Sequence, residues 1–187
     1  DNQLYELSQH ALFPDVTYGL DSGGDPEKIP DLTFEDFMAF HRAHYHPSNA
    51  FAYFYGDDDP TERLRLLDEC FSEFDRMRPA HLIGLQKPFS APVRVEKPYA
   101  AGPGDQKSMF TLNFCLPESA DPDLSLAMEV LEHILIGLPS SPLRKALTDS
   151  GLGEDLAGAG LETDLRQMYF SVGLKGMARG VADQAAE

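Results

Sequence analysis

The period of the hydrophobic positions changes several times along the chain, and each change predicts an element. Leu4, Leu7 and Ala11 share one helical face and Pro14 follows, which predicts a helix over residues 1–12. A loop rich in Gly, Asp and Pro runs on to Pro30. Thr33 can then cap a helix carrying Phe34, Phe37, Phe40 and His41, with Glu35 and Asp36 in the first turn, where negative charge suits the helix dipole. Pro47 bars helix at His46, so an extended segment begins there. Residues 50–55 form an unbroken apolar and aromatic run, which predicts a strand buried on both faces, and Gly56-Asp57-Asp58-Asp59-Pro60 stops it. Pro60 fits the first turn of a further helix with an acidic cap before it; Leu64, Leu67, Phe71 and Phe74 lie on one face of that helix.

Residues 78–92 contain three prolines and little periodicity, so they read as a connection between domains. The pattern then starts afresh. A short strand over 93–97 and a turn at Gly102-Pro103-Gly104-Asp105 lead into a strand from Lys107 to Leu116. There Phe110, Leu112, Phe114 and Leu116 share a face, predicting a sheet covered on that face. A helix from Asp123 to about Gly137 presents Leu124, Ala127, Leu131, Ile134 and Leu135. A second helix starts at the cap Ser141 with Pro142 in its first turn, and Gly151 ends it. Residues 154–164 and 167–176 read as two strands around a tight turn at Leu165 and Arg166, the first weakened by glycines 158 and 160. A last helix begins at Val181. Strands, then helices, then a hairpin favour an α+β fold over a doubly wound parallel sheet. The expected division is 1–77, a connection over 78–92, and 93–187, each part carrying a mainly antiparallel sheet covered by helices.

Composition narrows the function. Thirty-one acidic against 15 basic residues give a formal charge of −16, so the surface as a whole repels a phosphate backbone and a nucleic-acid partner is not expected. The same field attracts cationic peptides, although acidic surfaces also serve solubility. No apolar run approaches the roughly 20 residues that a membrane span needs, so no membrane partner is expected either. Cys70 and Cys115 have no metal-type partner at close spacing and read as buried free thiols. The chain starts without Met and stops inside a helical pattern, which makes a fragment of a longer polypeptide the expectation.

The block Tyr45-His46-Pro47-Ser48-Asn49-Ala50-Phe51-Ala52-Tyr53-Phe54-Tyr55-Gly56-Asp57-Asp58-Asp59-Pro60 resembles the presequence protease branch of the insulinase and pitrilysin superfamily of zinc metallopeptidases. The resemblance extends over nearly the whole chain. It takes in Ala11-Leu12-Phe13-Pro14-Asp15 with Tyr18, the loop Ser22-Gly23-Gly24-Asp25-Pro26, and the Leu32-Thr33-Phe34-Glu35 helix start. It continues through Ser140-Ser141-Pro142-Leu143-Arg144-Lys145, Ser150-Gly151-Leu152-Gly153 and Phe170-Ser171-Val172-Gly173-Leu174-Lys175-Gly176. It implies a clamshell of four related α+β domains that encloses unstructured, basic peptides, including cleaved targeting sequences, and hydrolyses them with zinc. On this basis residues 1–77 form the second half of a catalytic domain and residues 93–187 the first half of a non-catalytic homologous one. The remaining domains of the same polypeptide are then its partners. The resemblance also implies a mitochondrial matrix, plastid stroma or bacterial cytoplasmic setting.

Three constellations bear on chemistry. His41, His44 and His46 invite a metal reading, but Pro47 makes the chain extended by His46 and no Cys or carboxylate completes a tetrahedral set nearby, so they read as structural histidines at a helix exit. In Glu129-Val130-Leu131-Glu132-His133 the inverted zinc motif His-x-x-Glu-His has lost its first histidine, and the helix reads as a degenerate structural copy. No intact motif occurs in the chain, so no catalytic or metal residue is assigned to it; zinc, which the resemblance implies, would have its ligands outside. Ser22, Gly23 and Gly24 form the one loop placed near substrate, because adjacent glycines permit close backbone approach; the same residues are also ordinary turn chemistry. Gly102-Pro103-Gly104 and Gly158-Ala159-Gly160 lack the context and the Lys of a phosphate loop.

Overall fold

The computed structural model describes residues 2–78, 83–100 and 107–186. In chain order the elements are α1 (Asn2–Leu12), α2 (Phe34–His44), α3 (Pro60–Phe71), β1 (Lys107–Glu118), α4 (Pro122–Glu132), α5 (Pro142–Asp149), β2 (Asp155–Glu162), β3 (Gln167–Ala178) and α6 (Ala182–Ala186), with short 3₁₀ turns between the early helices. This is the expected α+β class. The residues group into two units, Asp1–Ser22 with Ile83–Glu187, and Gly23–Leu82.

In the first unit β1, β3 and β2 form an antiparallel sheet with β3 in the centre. A strand with neighbours on both edges and helices on both faces is buried along most of its length, and β3 is, with Met168, Tyr169, Val172, Leu174 and Met177 in the core. The register pairs Asn113 with Ser171 and Cys115 with Tyr169, so strand alternation puts Thr111, Asn113, Cys115, Tyr169 and Ser171 on one face. α1 lies on that face. Ser8 Oγ is 3.2 Å from Thr111 Oγ1, Ser171 Oγ donates to Asn113 Oδ1 at 2.6 Å, and the Cys115 thiol points at the Leu12 carbonyl. Phe13, wholly buried, meets Tyr18 and Tyr169 edge-on at 5.6 and 6.0 Å. The small polar side chains satisfy one another under the helix, and the aromatic cluster excludes water at its end.

The covered face differs from expectation. Leu112 and Phe114 stay exposed, because α4 and α5 contact β2 rather than β1, while α1 takes the more polar face of β1. Residues 83–87, read as part of a connection, are bonded into this unit: the Gln86 side chain exchanges hydrogen bonds with Asp15, and the Gln86 backbone N–H donates to Gln167 Oε1 at 2.8 Å. Residues 2–22 therefore group with the sheet, not with residues 23–78.

The second unit contains α2 and α3 but no strand among the described residues. Its helix starts follow the sequence: Thr33 Oγ1 accepts from Asp36 N, and Asp59 Oδ1 accepts from Thr61 N with Pro60 in the first turn. The strand expected over residues 50–55 does not form. Ala50 has extended dihedrals, yet no described strand pairs with the segment, and Phe51 and Tyr55 are 93% and 92% exposed. A strand is defined by its ladder, and an apolar run without a neighbour stays an extended coil. The same correction applies to 93–97, where Arg94 pairs with Glu96 and with Asp183 of α6 instead of joining the sheet. Among the described residues, one of the two parts expected to carry sheets does. The expected turn at 102–105 and residues 79–82 of the connection lie outside the described residues.

Candidate functional site

α4 carries the motif remnant, and its position follows from local chemistry. Asp121 Oδ1 accepts from Asp123 N and Leu124 N at 3.0 and 3.2 Å, and Pro122 occupies the first turn, so the helix starts one residue before Asp123. Its last turn widens into a π-turn, His133–Gly137. Ser141 explains where that turn stops. The Leu138 N–H donates to Ser141 Oγ at 3.0 Å and the Ser141 hydroxyl donates to the His133 carbonyl at 3.2 Å. The hydroxyl thus stands between two groups five residues apart that would otherwise close another π-type bond. Ser141 was expected to cap α5 with its side chain; it marks the helix start, but the buried hydroxyl makes no cap bond there.

The sheet-facing side of α4 carries Leu124, Met128 and Glu132, with Leu135 and Ile136 following in the π-turn. Leu131 and Ile134, expected inside, are exposed, and Glu132 is the residue that turns in. Its Oε1 accepts from the Leu161 backbone N–H at 3.0 Å. That donor sits beside an irregularity in β2 between Ala157 and Gly160, where the extra residue leaves a ladder group unpaired. A Cβ on Gly160 would stand 2.4 Å from the carboxylate, so glycine makes room for it. Glu132 thus plugs a β-bulge.

The donor set does not fit zinc. Glu129 and His133 are one helical turn apart and exposed, but a structural or catalytic site needs three or four protein ligands, and Glu132 is engaged with backbone. Among the described residues no three His, Cys, Asp or Glu side chains gather in a way that could hold a metal ion. The three early histidines are dispersed. His41 stacks between Phe37 and Tyr45, with ring centroids 6.5 and 4.7 Å away, and His44 tilts onto Phe40 at 4.2 Å. His46 Nδ1 accepts from Ser48 N at 3.1 Å while its ring meets Phe74 edge-on.

In the glycine loop Ser22 and Gly23 are exposed and Gly24 is half-buried. Gly24 has φ of 79°, which only glycine adopts without strain, whereas a Cβ there would make ordinary contact with Ile29. A separate turn follows it, closed by the Asp25 carbonyl, which accepts from Lys28 N and Ile29 N at 2.9 Å. The thiols also separate: Cys70 is exposed, contrary to expectation, while burial pushes the half-buried Cys115 thiol above the ordinary range. No helix among the described residues is long and apolar enough to cross a membrane.

An antiparallel sheet with helices on both faces, one of them carrying Glu129-Val130-Leu131-Glu132-His133, is the setting for the comparisons with known proteins. Residues 31–186 match the signature of the "Peptidase M16 inactive domain", and the chain belongs to that family. It is 50% identical to Presequence protease 1, chloroplastic/mitochondrial, of Arabidopsis thaliana over 184 residues, which is 95% of this chain and 17% of that protein. It is 36% identical to the mitochondrial presequence protease of Mus musculus, over 91% of this chain and 17% of that protein. It is 34% identical to Protein HypA of Clostridium perfringens, over 94% of this chain and 18% of that protein. The chain thus spans under a fifth of the length of these relatives. Two features escaped the sequence reading: the inward turn of Glu132 and the docking of Gln86. The short side chain at 160 was the one available signal for the first, and nothing local marked the second.

Proposed function

We propose that this chain is part of a zinc metalloendopeptidase that degrades unstructured peptides, such as cleaved targeting presequences, inside an enclosed chamber. The observation that carries the reading is 50% identity, across 95% of the chain, to a protein named as a presequence protease. The metal ligands lie outside this chain, and its role is wall rather than chemistry. By homology residues 1–77 complete the catalytic domain, 78–92 connect, and 93–187 open a homologous non-catalytic domain in which α4 is the counterpart of the catalytic helix, while residues 2–22 and 83–87 pack with the sheet of the latter. Ser22, Gly23 and Gly24 face substrate. The charge of −16 draws in basic peptides. The names of two relatives carry a mitochondrial or chloroplastic location, and the setting we propose is the mitochondrial matrix or plastid stroma, with a bacterial cytoplasm as the third.

A second reading has its own support, since the matching signature is described as an inactive domain. On that reading the polypeptide is a non-catalytic structural or partner-binding member of the family. The experiment that separates the two uses a polypeptide of the relatives' length carrying this chain. It should cleave a basic unstructured peptide, lose that activity with a zinc chelator and regain it with zinc. Absence of cleavage favours the second reading, and chelator-insensitive cleavage contradicts a zinc mechanism.

A further inference from the structure

The chain passes between its two units twice, after Ser22 and before Ile83, and within the sheet unit the two crossings are fastened to each other. Gln86 makes the first join. It is 5% exposed, its Oε1 accepts from the Asp15 N–H at 3.0 Å, its Nε2 donates to Asp15 Oδ2 at 2.8 Å, and its own N–H donates to Gln167 at the start of β3. Arg166, in the turn before β3, makes the second. Its backbone N–H donates to the Tyr18 hydroxyl at 2.9 Å, while its guanidinium donates to the Ile83 carbonyl and, at 2.7 Å, to Glu118 at the end of β1. Gly84 runs beside Val16, which a Cβ there would approach to 3.8 Å. Residues 15–18 and 83–86 therefore meet at one end of the sheet, next to the last residues of β1 and the first of β3.

Packing alone does not explain this junction. Residues 83–87 carry no periodic apolar face, yet Gln86 is buried with its side-chain amide and backbone N–H bonded. Holding the ends of a segment of about 60 residues together costs loop-closure entropy, and bonds made directly between the two anchors oppose that cost.

We infer that Asp15, Tyr18, Gln86 and Arg166 form a clasp that closes the Gly23–Leu82 unit into a loop anchored at both ends on the sheet unit. Residues 2–22 and 83–87 open only with the sheet, and residues 23–78 open and reclose without releasing either anchor. The chain thus parts into separately opening units at its two crossings rather than at residue 77. The contacts of the clasp all lie within the sheet unit, and none depends on the function proposed above.

The test is hydrogen exchange on a polypeptide of the relatives' length carrying this chain, read by mass spectrometry on peptides covering residues 8–20, 34–44, 83–92 and 167–178 at rising urea below the unfolding transition. Residues 8–20 and 83–92 should begin to exchange at the same urea concentration as 167–178, and 34–44 at a lower one. Any order that pairs 8–20 with 34–44, or parts it from 167–178, overturns the inference. In a second arm Gln86→Leu with Arg166→Met removes the side-chain bonds at similar volume. Protection over 8–20 and 83–92 should then fall at least about tenfold while that over 167–178 changes by less than about twofold. Unchanged protection in the two anchors would show that the clasp does not hold them, which also overturns the inference. If that double variant fails to fold, Tyr18→Phe keeps the ring against Phe13 and removes only the hydroxyl bonded to Arg166. It should lower protection over 8–20 about threefold or more, and no change there counts against the clasp.

Discussion

The sheet unit and residues 23–78 have similar apolar content, yet only one of them has an interior. In the sheet unit Tyr169 is 1% exposed, held between β1 and β2 with α1 above it; in the other, Tyr55 is 92% exposed on a segment with the same strand-like composition. Composition sets what a segment is able to become. Neighbours decide whether it does, because a ladder and a buried face are both properties of pairs.

Substitutions can break that comparison. Tyr169→Ala should cost about 4 kcal/mol by opening a cavity against Phe13 and Leu12, whereas Tyr53→Ala should change the stability of the chain by less than about 0.5 kcal/mol. Urea unfolding followed by circular dichroism measures both, and equal costs would mean that residues 51–55 are packed after all. Gly173→Ala comes next. Its Cβ would stand 1.8 Å from the Phe110 carbonyl oxygen across the β1–β3 pair, so a loss of about 3 kcal/mol is expected.

Glu132→Ala should cost about 2 kcal/mol by leaving the Leu161 N–H without its acceptor, and Glu132→Gln should recover most of that, since an amide oxygen still accepts. If neither change is felt, the bulge does not depend on the side chain. Tyr169→Phe should be within about 0.5 kcal/mol of neutral, because the buried hydroxyl faces Tyr5 and Gln9 without a well-formed hydrogen bond, and its removal relieves a desolvated polar group. The thiols give the smallest contrast. Cys115, whose pKa is raised by burial so that less of it is thiolate, should react with iodoacetamide at pH 8 at least about tenfold more slowly than Cys70. Comparable rates would place Cys115 outside the α1–sheet contact.

What could be read from the chain follows the same division between local and paired interactions. Thr33 and Asp59 as caps, Pro60 in a first turn, and the β2–β3 hairpin around Leu165 and Arg166 depend on neighbours a few residues away, and all were legible. The strand over 50–55 was expected from an apolar run and the one over 93–97 from a short local segment, and neither says anything about a partner. The phase of α4 was misjudged for a related reason. Ala127, Leu131 and Ile134 look like the inner face until the partner of Glu132 is known, and that partner is a backbone N–H 29 residues further on. The π-turn shifts the phase again after residue 132. Of the candidate site, Glu129 in place of a histidine was legible, but the bond from the Leu161 N–H to Glu132 was not.

We propose that the helix with Glu129, Glu132 and His133 is structural, with Glu132 bonded to the Leu161 backbone, and takes no part in the zinc chemistry of the proposed function. The most direct measurement takes His133→Ala in a polypeptide of the relatives' length and determines bound zinc per chain and kcat on a basic unstructured peptide. Zinc content and kcat equal to those of the unsubstituted protein are predicted. Loss of zinc together with activity, in a protein that remains folded, would contradict the account.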